Sequence, residues 1–345
     1  MAENDLSWVD NELGDLLKNK TQLDTAIYVA DDPSAKFHVP ENKGNEAMVW
    51  LTWMIDMYDN LPEVTIFMHG HPAAWHNNFI LEMSSSQMVR HLNLEKVKRD
   101  GYVSLRCHWH PGCPTHIHLN ETVEDPNKPE EVQVREAWKE LWPSEPIPEV
   151  LSTPCCSQFA VSRDQIRVTP RERYIEIRTW LRESEHPSFI VGRIFEYIWH
   201  VIMNNGSLIF CPDPRICYCE VYDVCMSPDE YTEYFEIGEA WRSVTHELRL
   251  WKEWYEESGN VDEQPGEYAD QVAKESGLDP EATDGWTRGD WLQYKANELY
   301  NELNERRQKA FDAAKNPATR TAVIEAALQN PLDVPASEDD YPWWF

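Results

Sequence analysis

Apolar positions near the start of the chain recur at close to helical spacing (Leu6, Val9, Leu13, Leu16, Leu17) and predict an amphipathic helix within residues 1–20. The run 26–30, Ala-Ile-Tyr-Val-Ala, reads as a strand that stops at Asp31-Asp32-Pro33. Residues 48–58 form a helical pattern with Asn45 near its N-cap and Glu46 in its first turn. The strand-like run 64–68 follows Leu61-Pro62. Strand, helix and strand with short joints predict a βαβ unit, and hence an α/β fold with a mainly parallel sheet and flanking helices. Farther on, the pattern predicts helices at 84–94 and 131–141 and strands at 101–106 and 158–161. A helical stretch within 163–183 and an apolar helix at 194–202 follow, the latter with Glu196 and His200 inside it.

Beyond Pro228 the texture changes to long, polar, Trp-dotted helical patterns at 229–258 and 286–330, joined by a Gly/Glu/Asp-rich stretch at 258–285. No internal repeat is visible. The expected organisation is an α/β catalytic domain over 1–226, a helical extension packed on it over 227–330, and an acidic, aromatic tail over 331–345.

Charge narrows the classes of partner. The formal net charge is −30; residues 227–345 carry 27 acidic and 11 basic side chains, and residues 1–226 carry 34 and 20. Such a field repels polyphosphate at long range and favours cationic small ligands. With 16 Trp, 14 Tyr and 10 Phe, aromatic side chains either pack the core or combine with acids to cage a guanidinium or ammonium group. No apolar run approaches a membrane span, and the acidic N-terminus lacks a secretory signal, so a cytoplasmic location without membrane association is expected. There the eight Cys are expected to be buried, metal-bound or catalytic rather than paired.

The strongest chemical signal is the turn after the strand at 64–68, which carries His69, His71, Trp75, His76, Asn77 and Asn78. Loops at strand ends carry function disproportionately, although His and Asn also satisfy turn backbone. A second cluster, CHWHPGCPTHIH at 107–118, and a third, Cys211, Cys217, Cys219 and Cys225, have ligands chemically suited to zinc but match no finger or ribbon spacing. Asp31-Asp32 would hold a divalent metal or clamp a cation, or else cap a turn. Glu196 and His200, four apart on one predicted helix with Arg193 nearby, form either a general base or a satisfied core pair. Arg163, Arg167, Arg171, Arg173, Arg178 and Arg182 face three acids between 163 and 182; Arg90, Lys96, Lys98, Arg99 and Arg106 make a second basic cluster. These are candidate phosphate-docking sites or solvated helix faces. No P-loop, G-x-G-x-x-G, nucleophile elbow or H-E-x-x-H is present.

Several strings together, NKGNEAMVWLTWMIDMYDNLPEVTIFMHGHPAAWHNN, GYVSLRCHWHPGCP, QFAVSRDQIR, GRIFEYIWHVI and CPDPRICYCEVYDVC, resemble a fungal family known as a domain of unknown function, over roughly residues 25–226. The layout resembles a glycosyltransferase-A-like, Rossmann-like α/β fold, with Asp31-Asp32 where such enzymes hold a nucleotide-sugar metal. The family is also similar to the fungal arginine-containing cyclodipeptide synthases, which make cyclo-Arg-Xaa diketopiperazines from aminoacyl-tRNAs.

The first of the functions expected is therefore a tRNA-dependent cyclodipeptide synthase of fungal secondary metabolism, using Arg-tRNA and a second aminoacyl-tRNA. Its base would be Glu196 or His200, with His69, His71 or His76 near the carbonyl. Asp31 and Asp32 would clamp the guanidinium; Trp75, Asn77, Arg193 and Trp199 complete the candidate substrate-binding set. Arg163, Arg167, Arg171 and Arg173 would meet the tRNA, and Ser84, Ser85, Ser86 and Cys107 are possible nucleophiles. No cofactor is required for ester aminolysis, although a divalent metal or structural zinc remains compatible. The alternatives are a metal-dependent glycosyltransferase of the A type using a nucleotide sugar, and a non-enzymatic, zinc-stabilised interaction protein.

Overall fold

Three strand-like runs of the sequence do form one sheet, but every pairing in it is antiparallel. In the computed structural model, which describes residues 6–19, 22–120, 128–257 and 285–332, strands β1 (Val64–Phe67), β2 (Tyr102–Ser104) and β5 (Phe159–Ser162) lie in the order β1-β5-β2. The registers pair Phe67 with Phe159 and Ser104 with Phe159, both antiparallel. A small second sheet pairs β3 (Ile117–His118) with β4 (Val150–Leu151), again antiparallel. Helices make up most of the remaining regular structure. The expected parallel, Rossmann-like or glycosyltransferase-A-like sheet is therefore corrected to a mainly helical fold around small antiparallel sheets.

Residues 26–30 are where the chain departs from the expected βαβ unit. They form no strand: Val29 N–H donates to Phe37 O at 3.0 Å, Tyr28 packs on the Phe37 ring, and Ile27 and Val29 are exposed. Without that strand there is no βαβ unit. β5 is instead buried at all four positions, so its continuous apolar run reflects a central strand covered on both faces.

The chain divides into two compact units, one comprising 1–223 with 331–345, the other 224–330. In the first, the sheet packs against helices through a chain of rings. Trp50 meets Phe67 at 5.3 Å, Phe67 meets Phe159 at 5.0 Å, and Phe159 meets Trp199 at 5.5 Å between centroids. Trp50 lies on the helix Glu46–Met57, where Met48, Leu51, Met54 and Ile55 also turn inward. The predicted single helix at 194–202 is two helices, Ser188–Glu196 and Trp199–Met203, with Tyr197 and Ile198 between them. Likewise 84–94 is split into Ser85–His91 and Leu94–Asp100, the first capped by the Ser84 side chain and the second by Asn93.

All the cysteines are disulfide-bonded, contrary to the expected reduced thiols and zinc clusters. Cys107 pairs with Cys217 and Cys113 with Cys211, so the loop at 107–118 is tied to the helix Pro214–Tyr222 and the segment preceding it. Its histidines are occupied structurally: His108 meets the Tyr218 hydroxyl at 2.8 Å and His116 the Tyr197 hydroxyl at 2.9 Å. Gly112 makes the tight turn possible, because a Cβ there would lie 2.0 Å from Thr153 O and its φ is +125°. Thr153 N–H and Cys155 N–H donate to Gly112 O and Pro111 O, which seats this turn beside residues 153–156.

In the second unit, helices Pro228–Glu257 and Arg288–Ala314 pack together, and Pro317–Gln329 follows. Thr287 and Asp290 form a capping box at the start of the second helix. Gly289 is required by close packing, since a Cβ would fall 2.2 Å from the Trp251 ring. The joint predicted at 258–285 and the tail at 331–345 lie almost wholly outside the described residues, as does 121–127. No described helix is long and apolar enough to cross a membrane.

Candidate functional site

The turn after β1 is held by neighbours that arrive from distant parts of the sequence. Trp8, on the helix Ser7–Leu17, donates its indole N–H to Gly70 O at 3.0 Å. Gln158, immediately before β5, accepts the His69 N–H on Oε1 at 2.9 Å. That contact fixes the orientation of the Gln158 amide, so its Nε2 is the donor end. Nε2 donates to Asn77 Oδ1 at 2.9 Å and faces His76 Nδ1 at 3.2 Å. His76 must then accept at Nδ1 and carry its proton on Nε2, which faces His69 Nδ1 at 3.3 Å. By the same logic His69 carries its proton on Nε2, which lies 4.0 Å from Glu46 Oε2. The network is a directed hydrogen-bond chain from the Gln158 amide through His76 to His69, and the His69 Nε2 at its end faces the Glu46 carboxylate beyond hydrogen-bond range.

Burial favours the neutral form of both imidazoles. It lowers the His76 pKa to about 4, with His69 and Arg106 adding to the effect; burial also lowers that of His69, against the opposing pull of Glu46. His69 Nε2 is itself buried without a hydrogen-bond partner.

Arg106 closes one side. It is 3% exposed and donates to His76 O at 2.7 Å and His110 O at 2.5 Å. Its Nε is buried without a partner. Burial lowers its pKa to about 10, with Tyr218 and Glu196 opposing. The guanidinium lies 5.5 Å from the centroid of Trp75, a ring that is 67% exposed.

The carboxylate at the centre is Glu196, the last residue of its helix. Its Oε1 accepts the Cys156 N–H at 2.6 Å. Burial raises its pKa to about 7; the Cys156 N–H opposes this, Glu46 and Glu130 raise it further by repulsion, and Arg193 lowers it. Arg193 itself donates to Glu130 Oε2 at 2.9 Å. Glu196, Glu46 and Glu130 thus form an acidic neighbourhood only partly offset by Arg193.

The segment under Glu196 has an unusual backbone. Cys155 and Cys156 are joined to each other by a disulfide, and Cys156 and Ser157 both have positive φ, +85° and +53°. Non-glycine residues at such angles cost about 1–3 kcal/mol each and concentrate at functional sites. Trp50 donates to Ser157 O at 3.0 Å and helps hold them there.

The sequence expectations separate cleanly against this geometry. His69, His76, Trp75, Asn77, Glu196 and Arg193 belong to the site or its immediate support. Asn77 is a buried brace that donates to Met83 O and Ser85 Oγ, and His71 is exposed, accepting from Ser85 at its carbonyl. His200 does not pair with Glu196. The break at Tyr197-Ile198 carries it into the core, where Nε2 faces Leu208 O at 3.0 Å and burial lowers its pKa to about 4. Trp199 is 1% exposed between Phe159 and Phe195.

Asp31 and Asp32 are not at a strand end. Asp32 accepts the Ser34 N–H and hydroxyl, an Asx turn that holds its carboxyl below the usual range. The arginine stretch is largely committed to its own neighbours. Arg163 donates to Leu61 O, Arg171 pairs with Asp59, and Arg173 contacts Glu176 and Leu141 O; Arg167 is exposed. In the other basic cluster, Lys96 and Arg99 pair with Glu220, and Arg90 with Asp15. Ser84 caps a helix, Ser86 contacts Glu12, and Cys107 is oxidised, so none of these is a free nucleophile.

Sequence reasoning missed Glu46, Glu130, Gln158 and the Cys155-Cys156 doublet. Glu46 looked like a first-turn helix acid, which it also is. Gln158 opens the string QFAVSRDQIR, but nothing local distinguishes a bracing amide from a surface one. The doublet was visible as adjacent cysteines. No curated protein and no solved structure matches the chain. One family does: residues 1–220 match the family described as "Protein of unknown function (DUF3431)", and the chain belongs to it.

Proposed function

We propose that the protein is an acid–base enzyme acting on a cationic amine substrate, and specifically an aminoacyltransferase that forms cyclo-Arg-Xaa diketopiperazines from arginyl-tRNA and a second aminoacyl-tRNA in fungal secondary metabolism. The observation that carries this reading is Glu196: an enclosed carboxyl poised near pH 7, with two further carboxylates close by. An α-ammonium group titrates at about 8, so such a carboxylate is well matched to removing its proton.

In the reaction the freed amine attacks the ester carbonyl of the other aminoacyl group. The C–N bond forms, the ester C–O bond breaks, and the departing ribose oxygen takes a proton. A second aminolysis closes the ring. Arg106 Nε and His69 Nε2, two buried donors without acceptors, suit the charge that develops on a carbonyl oxygen. The guanidinium clamp moves from Asp31 and Asp32 to Glu46 and Glu130, where acids and the Trp75 ring lie near the site.

The test is incubation of the purified chain with charged arginyl-tRNA and a pool of other aminoacyl-tRNAs. Mass spectrometry should find an arginine-containing diketopiperazine that is absent without either ester. Absence of any such product, from a chain whose disulfides and fold are intact, overturns the assignment.

One observation favours a second reading. Disulfides at this density suit an oxidising compartment, which does not supply charged tRNA. There the same acidic neighbourhood would act on a cationic peptide or amine supplied with a different acyl donor. Loss of the fold in a cytosol-like thiol buffer would favour this second reading over the first.

A further inference from the structure

The sulfur atoms of Cys155 and Cys156 and a carboxylate oxygen of Glu196 lie within 4.8 Å of one another. Among the described residues this is the one cluster in which three side chains offer metal-ligand atoms at such range. The two cysteines are joined to each other, so neither sulfur can ligate a cation as a thiolate. Cys155 is buried, whereas Cys156 keeps partial exposure, which makes its sulfur the reachable one.

The backbone holds the cluster together independently of the S–S bond. Cys155 N–H donates to Pro111 O at 3.1 Å, Cys156 N–H to Glu196 Oε1 at 2.6 Å, and Trp50 to Ser157 O at 3.0 Å. The neighbouring turn at Gly112 is fixed by its contact with Thr153. Opening the disulfide therefore leaves both cysteines anchored beside the carboxylate.

We propose that Cys155, Cys156 and Glu196 form a redox-gated site for a soft divalent cation of the zinc and cadmium class, closed while the cysteines are bonded to each other and opened when a dithiol reduces them. In the opening step a thiolate of the dithiol attacks Cys156 Sγ, the S–S bond breaks, and Cys155 leaves as a thiolate that takes a proton. The second thiol of the reductant then attacks its own mixed-disulfide sulfur. Cys156 is released and also takes a proton, and the reductant becomes a cyclic disulfide. Two electrons pass from dithiol to protein. The cation then displaces both thiol protons to solvent and gains the Glu196 carboxylate, giving two thiolates and one oxygen with a coordination position left open. Two adjacent thiolates suit soft cations, and a single carboxylate does not exclude them. The site goes beyond the acyl-transfer reading and does not depend on it, although it uses Glu196 in a second role.

The test uses the full chain, before and after mild dithiothreitol, with reduction of each disulfide followed by differential alkylation and mass spectrometry. Cadmium is then titrated under removal of excess thiol, and the thiolate-to-cadmium absorption in the near ultraviolet is read. The expected result is about one equivalent bound by the chain reduced at 155–156 and at least tenfold weaker binding by the oxidised chain. A C155S/C156S variant should lose the absorption, and E196Q should keep it while binding at least tenfold more weakly. Equal binding by oxidised and reduced chains overturns the proposal, as does full absorption in C155S/C156S, which would place the metal on other cysteines. Should that double variant fail to fold, E196Q decides: unchanged affinity in a folded E196Q chain overturns the three-ligand site.

Discussion

The neighbourhoods of Glu196 and His200 are four residues apart in the chain, and each holds a desolvated titratable group, Glu196 half-buried and His200 fully buried. Glu196 ends one helix, accepts a backbone N–H, and faces the carboxylates of Glu46 and Glu130. His200 lies in the next helix, with no exposure, one ring nitrogen on Leu208 O and the other without a partner. The same physical cause, desolvation of the charged form, acts on both. For the acid it moves the pKa up to about 7, so both protonation states are populated at neutral pH. For the imidazole it moves the pKa down to about 4, so only the neutral form exists there. Burial poises the carboxyl and silences the histidine. The two residues that sequence spacing would join as a catalytic pair are thus one reactive group and one core group.

The comparison breaks most directly through turnover. E196Q keeps an oxygen to accept the Cys156 N–H but loses the base, so diketopiperazine formation should fall about 10²–10⁴-fold with the circular dichroism spectrum unchanged. H200Q, in its folded fraction, should retain turnover within a few-fold. An H200Q chain that folds normally yet is as inactive as E196Q would restore His200 to the chemistry.

Next in size is the core beside His200. Trp199→Ala removes a ring packed on Phe159 and Phe195 and should cost about 3–5 kcal/mol in denaturant unfolding. A loss under about 1 kcal/mol would show that the Trp199 ring is not part of a close-packed core.

The pH dependence of stability sharpens the contrast because the two groups act in opposite directions. His200 has a folded pKa below its unfolded value of 6.5, so its contribution is present above 6.5 and is lost as pH falls toward 4. The full difference is about 3 kcal/mol, and H200Q should flatten the acid limb of a stability–pH curve. Glu196 has a folded pKa above its unfolded value of 4.5, so its contribution is complete below 4.5 and is lost as pH rises through about 7. E196Q should therefore gain stability relative to the parent chain at pH 8 and not at pH 4. A thermal melt series over pH 4–8 reads both.

The smallest effect is expected at the residues that dispersed. D31N/D32N should leave turnover and melting temperature unchanged, because Asp32 is occupied with Ser34 on an exposed turn. A large loss of turnover would return the cation clamp to the place that the sequence suggested.

Much of the local structure was legible. The runs at 64–68, 101–106 and 158–161 become β1, β2 and β5, and the helices at 131–141 and 229–258 form close to their expected limits, whereas the stretch at 286–330 divides into Arg288–Ala314 and Pro317–Gln329. Their periodicity and caps act over a few residues, which is the range that a sequence pattern encodes. In the His-rich turn after β1, the His69 and His76 imidazoles join one network, whereas His71 is exposed and engages only through its carbonyl. The pairing direction of the strands was not legible, because a four-residue apolar strand reads alike in parallel and antiparallel sheets. Nor was the break at Tyr197-Ile198, since a mainly apolar run carries no local signal of a helix end within it.

What the sequence determined by itself was which segments are helical or extended and where titratable groups are concentrated. Only the tertiary structure decided that Glu46, Gln158 and the Cys155-Cys156 doublet meet His69 and Glu196, and that Asp31, Asp32 and His200 do not. The reason is that a pKa or a ligand set depends on desolvation and on charges a few ångströms away, and here those neighbours come from residues up to about 150 positions distant in the chain.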